Sequence, residues 1–167
     1  MRWEINLLAT LYHLFPPTIH PMVIHFTIAI IYLTGLAGFI GLFWRRDDFF
    51  SKLYFMLLIL SIIATIAAGV AGVISEYYVN PQANGVAGTL AIHKRDGELT
   101  GVLLVISFGL QVFLARLQKV SFLSFIVTLG AMAMVSVTGF IGGSMVYDHG
   151  LGVHVTAASN ATSSVSP

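Results

Sequence analysis

Residues 20–43 read HPMVIHFTIAIIYLTGLAGFIGLF, and this stretch decides the fold. From Met22 to Phe43 it carries no Asp, Glu, Lys or Arg, and its one basic side chain is His25. At ~1.5 Å per residue the stretch is about 33 Å long, enough to cross a hydrocarbon core of ~30 Å as a helix. Pro21 falls in the first turn, where its missing N–H has no helical partner to lose. The segment therefore reads as a membrane-spanning helix over about residues 22–43.

Three further apolar stretches predict spans at about 53–75, 91–115 and 122–146. The third is apolar only from Leu99 to Ala115, roughly 26 Å, so its helix is expected to begin near Ala91, with His93 at the membrane surface. Of the 167 residues 57% are hydrophobic and 9% charged, which excludes a water-soluble globule. The predicted fold is an all-α integral membrane four-helix bundle occupying residues 18–155. Within it Gly35, Gly38, Gly41, Ala68, Gly72, Gly139 and Gly143 read as points of close helix approach. Gly38-Phe39-Ile40-Gly41 recurs at Gly139-Phe140-Ile141-Gly142, but near opposite ends of the helices, and is read as no internal repeat. Ahead of the bundle, Trp3, Leu7, Leu8, Leu11 and Phe15 oppose Arg2, Asn6, Thr10 and His13, predicting an amphipathic interfacial helix over residues 1–17. Its broken apolar stretch and lack of a small-residue cleavage site argue against a removed leader. Residues 156–167 are expected to form a flexible tail.

No cysteine occurs, which excludes iron–sulfur clusters, thiolate metal sites, disulfides and covalent c-type haem attachment. A formal charge of +1 without a basic run excludes nucleic acid as a partner. No Ser-His-Asp spacing, phosphate loop or H-E-x-x-H pattern supports hydrolysis. Arg45, Arg46, Lys52, Arg116 and Lys119 on the short loops outnumber Arg2, Lys94 and Arg95 on the other side. That imbalance places both termini outside the cytoplasm.

All six histidines, His13, His20, His25, His93, His149 and His154, then share the extracytoplasmic side. His25 lies one turn inside a span, where an ionisable side chain is costly unless it faces a partner or a cavity. Haem b needs two imidazoles at similar depth on facing helices, and His25 with His93 is the expected axial pair. His20 sits roughly 140° around the helix from His25 and so answers to a different partner. Lys94 and Arg95, at the water boundary, suit haem propionates. Glu76, at the outer end of the second span, either relays a proton or pairs with Arg95. Met145 precedes His149 by four residues, and with His20 and His154 these offer an alternative copper site.

His20-Pro21-Met22-Val23-Ile24-His25-Phe26, a lone histidine before the third span, and Gly142-Gly143-Ser144-Met145-Val146-Tyr147-Asp148-His149-Gly150-Leu151-Gly152-Val153 resemble the prokaryotic four-helix membrane family catalogued as domain of unknown function 2231. Its pattern reads roughly HPxxVHFxI, a lone His, then GGxLVYxHGxGV, and the resemblance covers about residues 18–155. It implies a four-span bundle whose recurrent histidines are His20, His25, His93 and His149, in proteins that look like cytochrome b-type or redox-associated membrane proteins. Two features depart from the pattern: Phe26-Thr27-Ile28 where the family often has Phe-Pro, and the charged Lys94-Arg95-Asp96 after His93.

The expectation is a prokaryotic cell-membrane haem b subunit, passing electrons between an extracytoplasmic donor or partner subunit and the quinone pool or an oxidase. His20 and His149 would then support the site or serve as alternative ligands. Such a chain is an electron-transfer subunit of an oxidoreductase complex more than an enzyme by itself. Its partners would be membrane lipid, other subunits of a membrane redox complex, and quinone. Two rivals are a cofactor-free accessory subunit of a respiratory or transport complex and an outer-face copper or other metal-binding protein.

Overall fold

The computed structural model describes residues 15–44, 48–115 and 118–153. Residues 1–14 of the expected interfacial helix, the tail 156–167, His13, His154, and the cations Arg2, Arg45, Arg46 and Arg116 lie outside the described residues. Among those described, four helices follow one another: α1 (Ile19–Phe43), α2 (Phe49–Glu76), α3 (Ala87–Leu114) and α4 (Phe122–Tyr147). Each is long and apolar enough to cross a membrane. The 28 residues of α2 and of α3 give about 42 Å at ~1.5 Å per residue.

The helices pack as two tight hairpins, α1 with α2 and α3 with α4, joined along looser α2–α3 and α1–α4 seams. Helices α1 and α3 therefore stand diagonally opposed. The starts of α1 and α3 share one end of the bundle with the finishes of α2 and α4. Helix α3 begins four residues earlier than the sequence predicts, at Ala87. The chain turns at Gly85, whose φ is +70°, and the fully buried Val86 anchors the first turn. His93 consequently sits six residues inside the helix, about 9 Å, and not at its mouth.

The bundle is apolar outside and mixed within, where hydroxyls lie among Ile31, Leu58, Leu104, Ala131 and Val135. Large side chains such as Phe26, Leu36, Val70 and Val105 are exposed, while Thr27, Thr34, Ser61, Thr100, Ser107 and Thr128 are each 2% exposed or less. Lipid gives apolar faces no reason to turn inward, so small residues and interhelical hydrogen bonds hold the helices together. The inward positions recur every seven residues: His20, Thr27, Thr34 and Gly41 on α1, and His93, Thr100 and Ser107 on α3.

At the end away from the histidines, the Tyr54 hydroxyl meets Thr128 Oγ1 (2.7 Å), Ser124 Oγ (2.8 Å) and Ser107 Oγ (3.2 Å). Ser107 and Ser124 also donate to each other's backbone carbonyls, at 2.9 and 2.8 Å. Gln111 closes this end by donating to the Lys119 carbonyl (2.8 Å) and accepting from the Ser121 N–H (2.9 Å). Room for the Tyr54 ring comes from Gly38, where a Cβ would stand 2.8 Å from Tyr54 Cε2 and 2.9 Å from Phe125 Cδ2. No buried side-chain nitrogen or oxygen among the described residues lacks a hydrogen-bond partner.

Candidate functional site

The heptad that places Thr27 and Thr34 in the interior also points His20 inward from the start of α1. Its Nδ1–H donates to the Ala68 carbonyl of α2 (3.0 Å), and its backbone N–H donates to Ser75 Oγ (3.2 Å). On the opposing diagonal, the Nδ1–H of His93 donates to the Thr138 carbonyl of α4 (2.9 Å). A carbonyl only accepts, so each ring carries a proton on Nδ1 and, in its neutral form, presents a lone pair at Nε2.

One turn beyond each accepting carbonyl lies a glycine. A Cβ at Gly72 would stand 3.3 Å from His20 Nδ1, and one at Gly142 would stand 3.0 Å from His93 Cε1. The two hairpins thus repeat one arrangement: a histidine on the first helix, a carbonyl on the second, and a glycine four residues further on. This correspondence is not the Gly-Phe-Ile-Gly phrase, and it relates hairpin to hairpin.

The two rings meet across the bundle with centroids 5.9 Å apart and planes 83° to one another. No hydrogen bond among the described residues engages either Nε2. Since no buried nitrogen is left unpartnered, both Nε2 atoms open onto accessible space.

The sequence paired His93 with His25, but the structure brings His20 to His93. His25 is exposed on the outer face of α1, and its Nδ1–H donates to the Pro21 carbonyl one turn back. The five-residue spacing that separates the two histidines by roughly 140° turns one inward and the other to lipid. Spacing to Thr27 and Thr34 was the available signal for choosing between them.

Lys94 and Arg95, expected to face propionates, are engaged by carboxylates of the chain. Lys94 Nζ lies 2.8 Å from Glu76 Oε2, both partly exposed, so Glu76 meets Lys94 where the sequence offered Arg95. Arg95 places Nε (2.9 Å) and a terminal guanidinium nitrogen (2.8 Å) on Asp96 Oδ1. Asp96, three residues beyond His93, is only 5% exposed, and Thr100 donates to its carbonyl (2.9 Å). Sequence reasoning passed over this buried carboxylate, because the run Lys94-Arg95-Asp96 read as a water-facing boundary. Its i, i+3 relation to His93 and its place on the Thr100–Ser107 face marked it as inward.

The residues of the alternative copper set stand as follows. Met145 is buried, His149 is exposed with its Nδ1–H on the Ser144 carbonyl at 3.3 Å, and His154 lies outside the described residues. Among the described residues no group of three or more His, Asp or Glu gathers as a metal site. Asn84 ties the 77–86 loop to the chain after α4 by donating to the His149 carbonyl (2.9 Å).

Comparison with known proteins gives a match over residues 16–155 to the model of a family described as "Predicted membrane protein (DUF2231)". No curated protein and no solved structure matches the chain.

Proposed function

We propose, from the premise that the chain belongs to the DUF2231 family of predicted membrane proteins, that this multi-pass protein holds one haem b between His20 and His93. In that role it passes electrons between an extracytoplasmic donor or partner subunit and the quinone pool or an oxidase. The supporting observation is the matched pair of imidazoles on diagonal helices, each tied at Nδ1 and free at Nε2. With their centroids 5.9 Å apart, His20 and His93 are the two residues that would hold the group.

Haem iron at this position supplies one-electron redox chemistry. The chain's own residues do the rest. Ala68 and Thr138 fix the ligating tautomer and make each Nε2 a stronger donor. Gly72 and Gly142 keep the second helix of each hairpin clear of the rings. Arg95 balances the buried Asp96 charge beside the site. Both rings lie toward one end, and the Tyr54 hydroxyl cluster with Gln111 fills the other. That arrangement favours one haem near one membrane face, with a second carrier needed to complete passage across the bilayer.

A reduced-minus-oxidised absorption spectrum of the purified full chain tests this. The expected α band lies near ~560 nm, as bis-imidazole haem b requires. His20→Ala and His93→Ala should each abolish it, and His25→Leu should leave it intact. A colourless protein, or a band that survives His20→Ala, overturns the reading. Stoichiometric copper in colourless protein would point to a metal site, and metal-free protein bound to large subunits to a packing role.

A further inference from the structure

Charged side chains within the spans gather on one helix. Helices α1 and α4 carry no Asp, Glu, Lys or Arg, and α2 carries only Lys52 and Glu76 at its two ends, whereas α3 carries Lys94, Arg95, Asp96 and Glu98. Asp96 turns into the bundle, but Arg95 and Glu98 are exposed on its outside. Glu98 has two cations of its own helix at i−4 and i−3 spacing, yet Lys94 is held by Glu76 and Arg95 by Asp96. No hydrogen bond or ion pair among the described residues reaches the Glu98 carboxylate.

Depth sets Glu98 apart from an ordinary surface charge. It lies eleven residues inside α3, about 16 Å from the start of the helix at ~1.5 Å per residue, and five residues deeper than His93. The neighbouring helices are still apolar outside nearer the membrane surface. Val73, which adjoins the glycine beside His20, and Phe140, which lies between the carbonyl and the glycine that meet His93, are both more than half exposed. A carboxylate below that level is out of reach of headgroups and bulk water, and a charge at such depth needs a partner. Arg95, three residues nearer the surface, commits Nε and one terminal nitrogen to Asp96, and its other terminal nitrogen has no partner among the described residues. A guanidinium presents five N–H donors, so its free edge can take a second carboxylate.

These two charges share a face shaped for another helix. Ala91, Arg95, Glu98, Val102, Val105 and Gly109 follow one another at alternating spacings of four and three, the period of a coiled-coil seam, on the side away from Thr100 and Ser107. Apart from the charges the stripe is small, and a Cβ on Gly109 would meet nothing within 4 Å, so a second helix can approach the backbone closely. Two copies inserted the same way into a bilayer hold equal residues at equal depth. A two-fold axis along the membrane normal then sets Arg95 of each copy beside Glu98 of the other, because neighbouring seam positions of parallel helices interleave. We propose that the chain is a homodimer in the membrane, joined along this face of α3, with Arg95 of each copy bridging its own Asp96 and Glu98 of the partner subunit. The interface goes beyond the relay reading and does not depend on haem.

The chain contains no cysteine, so a single one introduced into the full chain reports by itself. In liposomes of phosphatidylcholine and phosphatidylglycerol at low protein density, Val105→Cys should form an interchain disulfide on mild oxidation. Leu33→Cys, exposed at similar depth on the diagonal helix α1, should not. Energy transfer between labelled copies should report an association that Glu98→Arg weakens about tenfold or more, as like charges facing each other out of water require. The Glu98 carboxylate has no polar partner in its own chain, so helix content and the unfolding midpoint in detergent should stay unchanged in this variant. Gly109→Phe, which enters open space in the single chain, should weaken association as well and likewise leave the midpoint in place. A monomeric chain in liposomes, equal cross-linking at both cysteines, or association unchanged in Glu98→Arg overturns the proposal. A purified chain that stays monomeric while Val105→Cys cross-links to a different subunit in native membranes gives the face to that subunit and overturns it too.

Discussion

The two ends of the bundle both bury polar groups in a membrane and differ in what they leave unused. At the Tyr54 end every hydroxyl is answered by another hydroxyl or a carbonyl, and Gln111 stitches the following turn. At the histidine end each ring is answered on one nitrogen only. A saturated network in low dielectric rigidifies the helices, and a half-used one holds lone pairs ready for something else. The first end explains why the bundle holds together, and the second shows where a ligand is to be looked for.

Substitutions can break this contrast. The largest effect on stability is expected at Gly38, where a leucine would drive its side chain into the Tyr54 and Phe125 rings. Thermal unfolding in detergent should show a loss of about 3 kcal/mol for Gly38→Leu, the upper range for overpacking; a change within error would mean that the saturated end is loosely packed. Tyr54→Phe should cost about 1 kcal/mol, because Ser107, Ser124 and Thr128 can still bond one another. The same variant should leave any haem spectrum unaltered, and a spectral change would erase the division of labour between the ends.

Smaller effects sharpen the picture. Glu76→Gln removes the partner of Lys94 at a partly exposed site and should change the unfolding midpoint by no more than a few tenths of a kcal/mol. A large loss there would tie the ion pair to the site. Outside the spans, the hydrogen bond from Lys52 holds the Asp48 carboxyl below the usual carboxylate range. A lowered pKa in the folded chain adds stability above the ordinary carboxylate value and loses it as pH falls through the lowered one. Because both side chains are open to solvent, the acid limb of a stability profile should differ only slightly between the wild type and Lys52→Met, and in that direction.

The four spans were readable because lipid imposes length and apolarity on any helix that crosses it. The pairing of imidazoles was not, because the reading assumed that the deeper histidine must face inward. His25 instead satisfies Nδ1 with the carbonyl of its own helix and turns outward. In a membrane bundle the informative period is that of the polar and small residues, and His20-Thr27-Thr34-Gly41 carried it. The start of α3 precedes the predicted Ala91 by four residues, because the chain turns at Gly85 and the buried Val86 already packs the first helical turn.

Each ring is oriented by a carbonyl of its own hairpin, before the other hairpin is needed. A nascent chain entering the bilayer two helices at a time would therefore deliver residues 19–76 with one imidazole already aimed, and residues 87–147 with the other. Assembly then asks only that two prefabricated halves collide in register. Severing the loop between them and co-expressing the fragments should regenerate the whole.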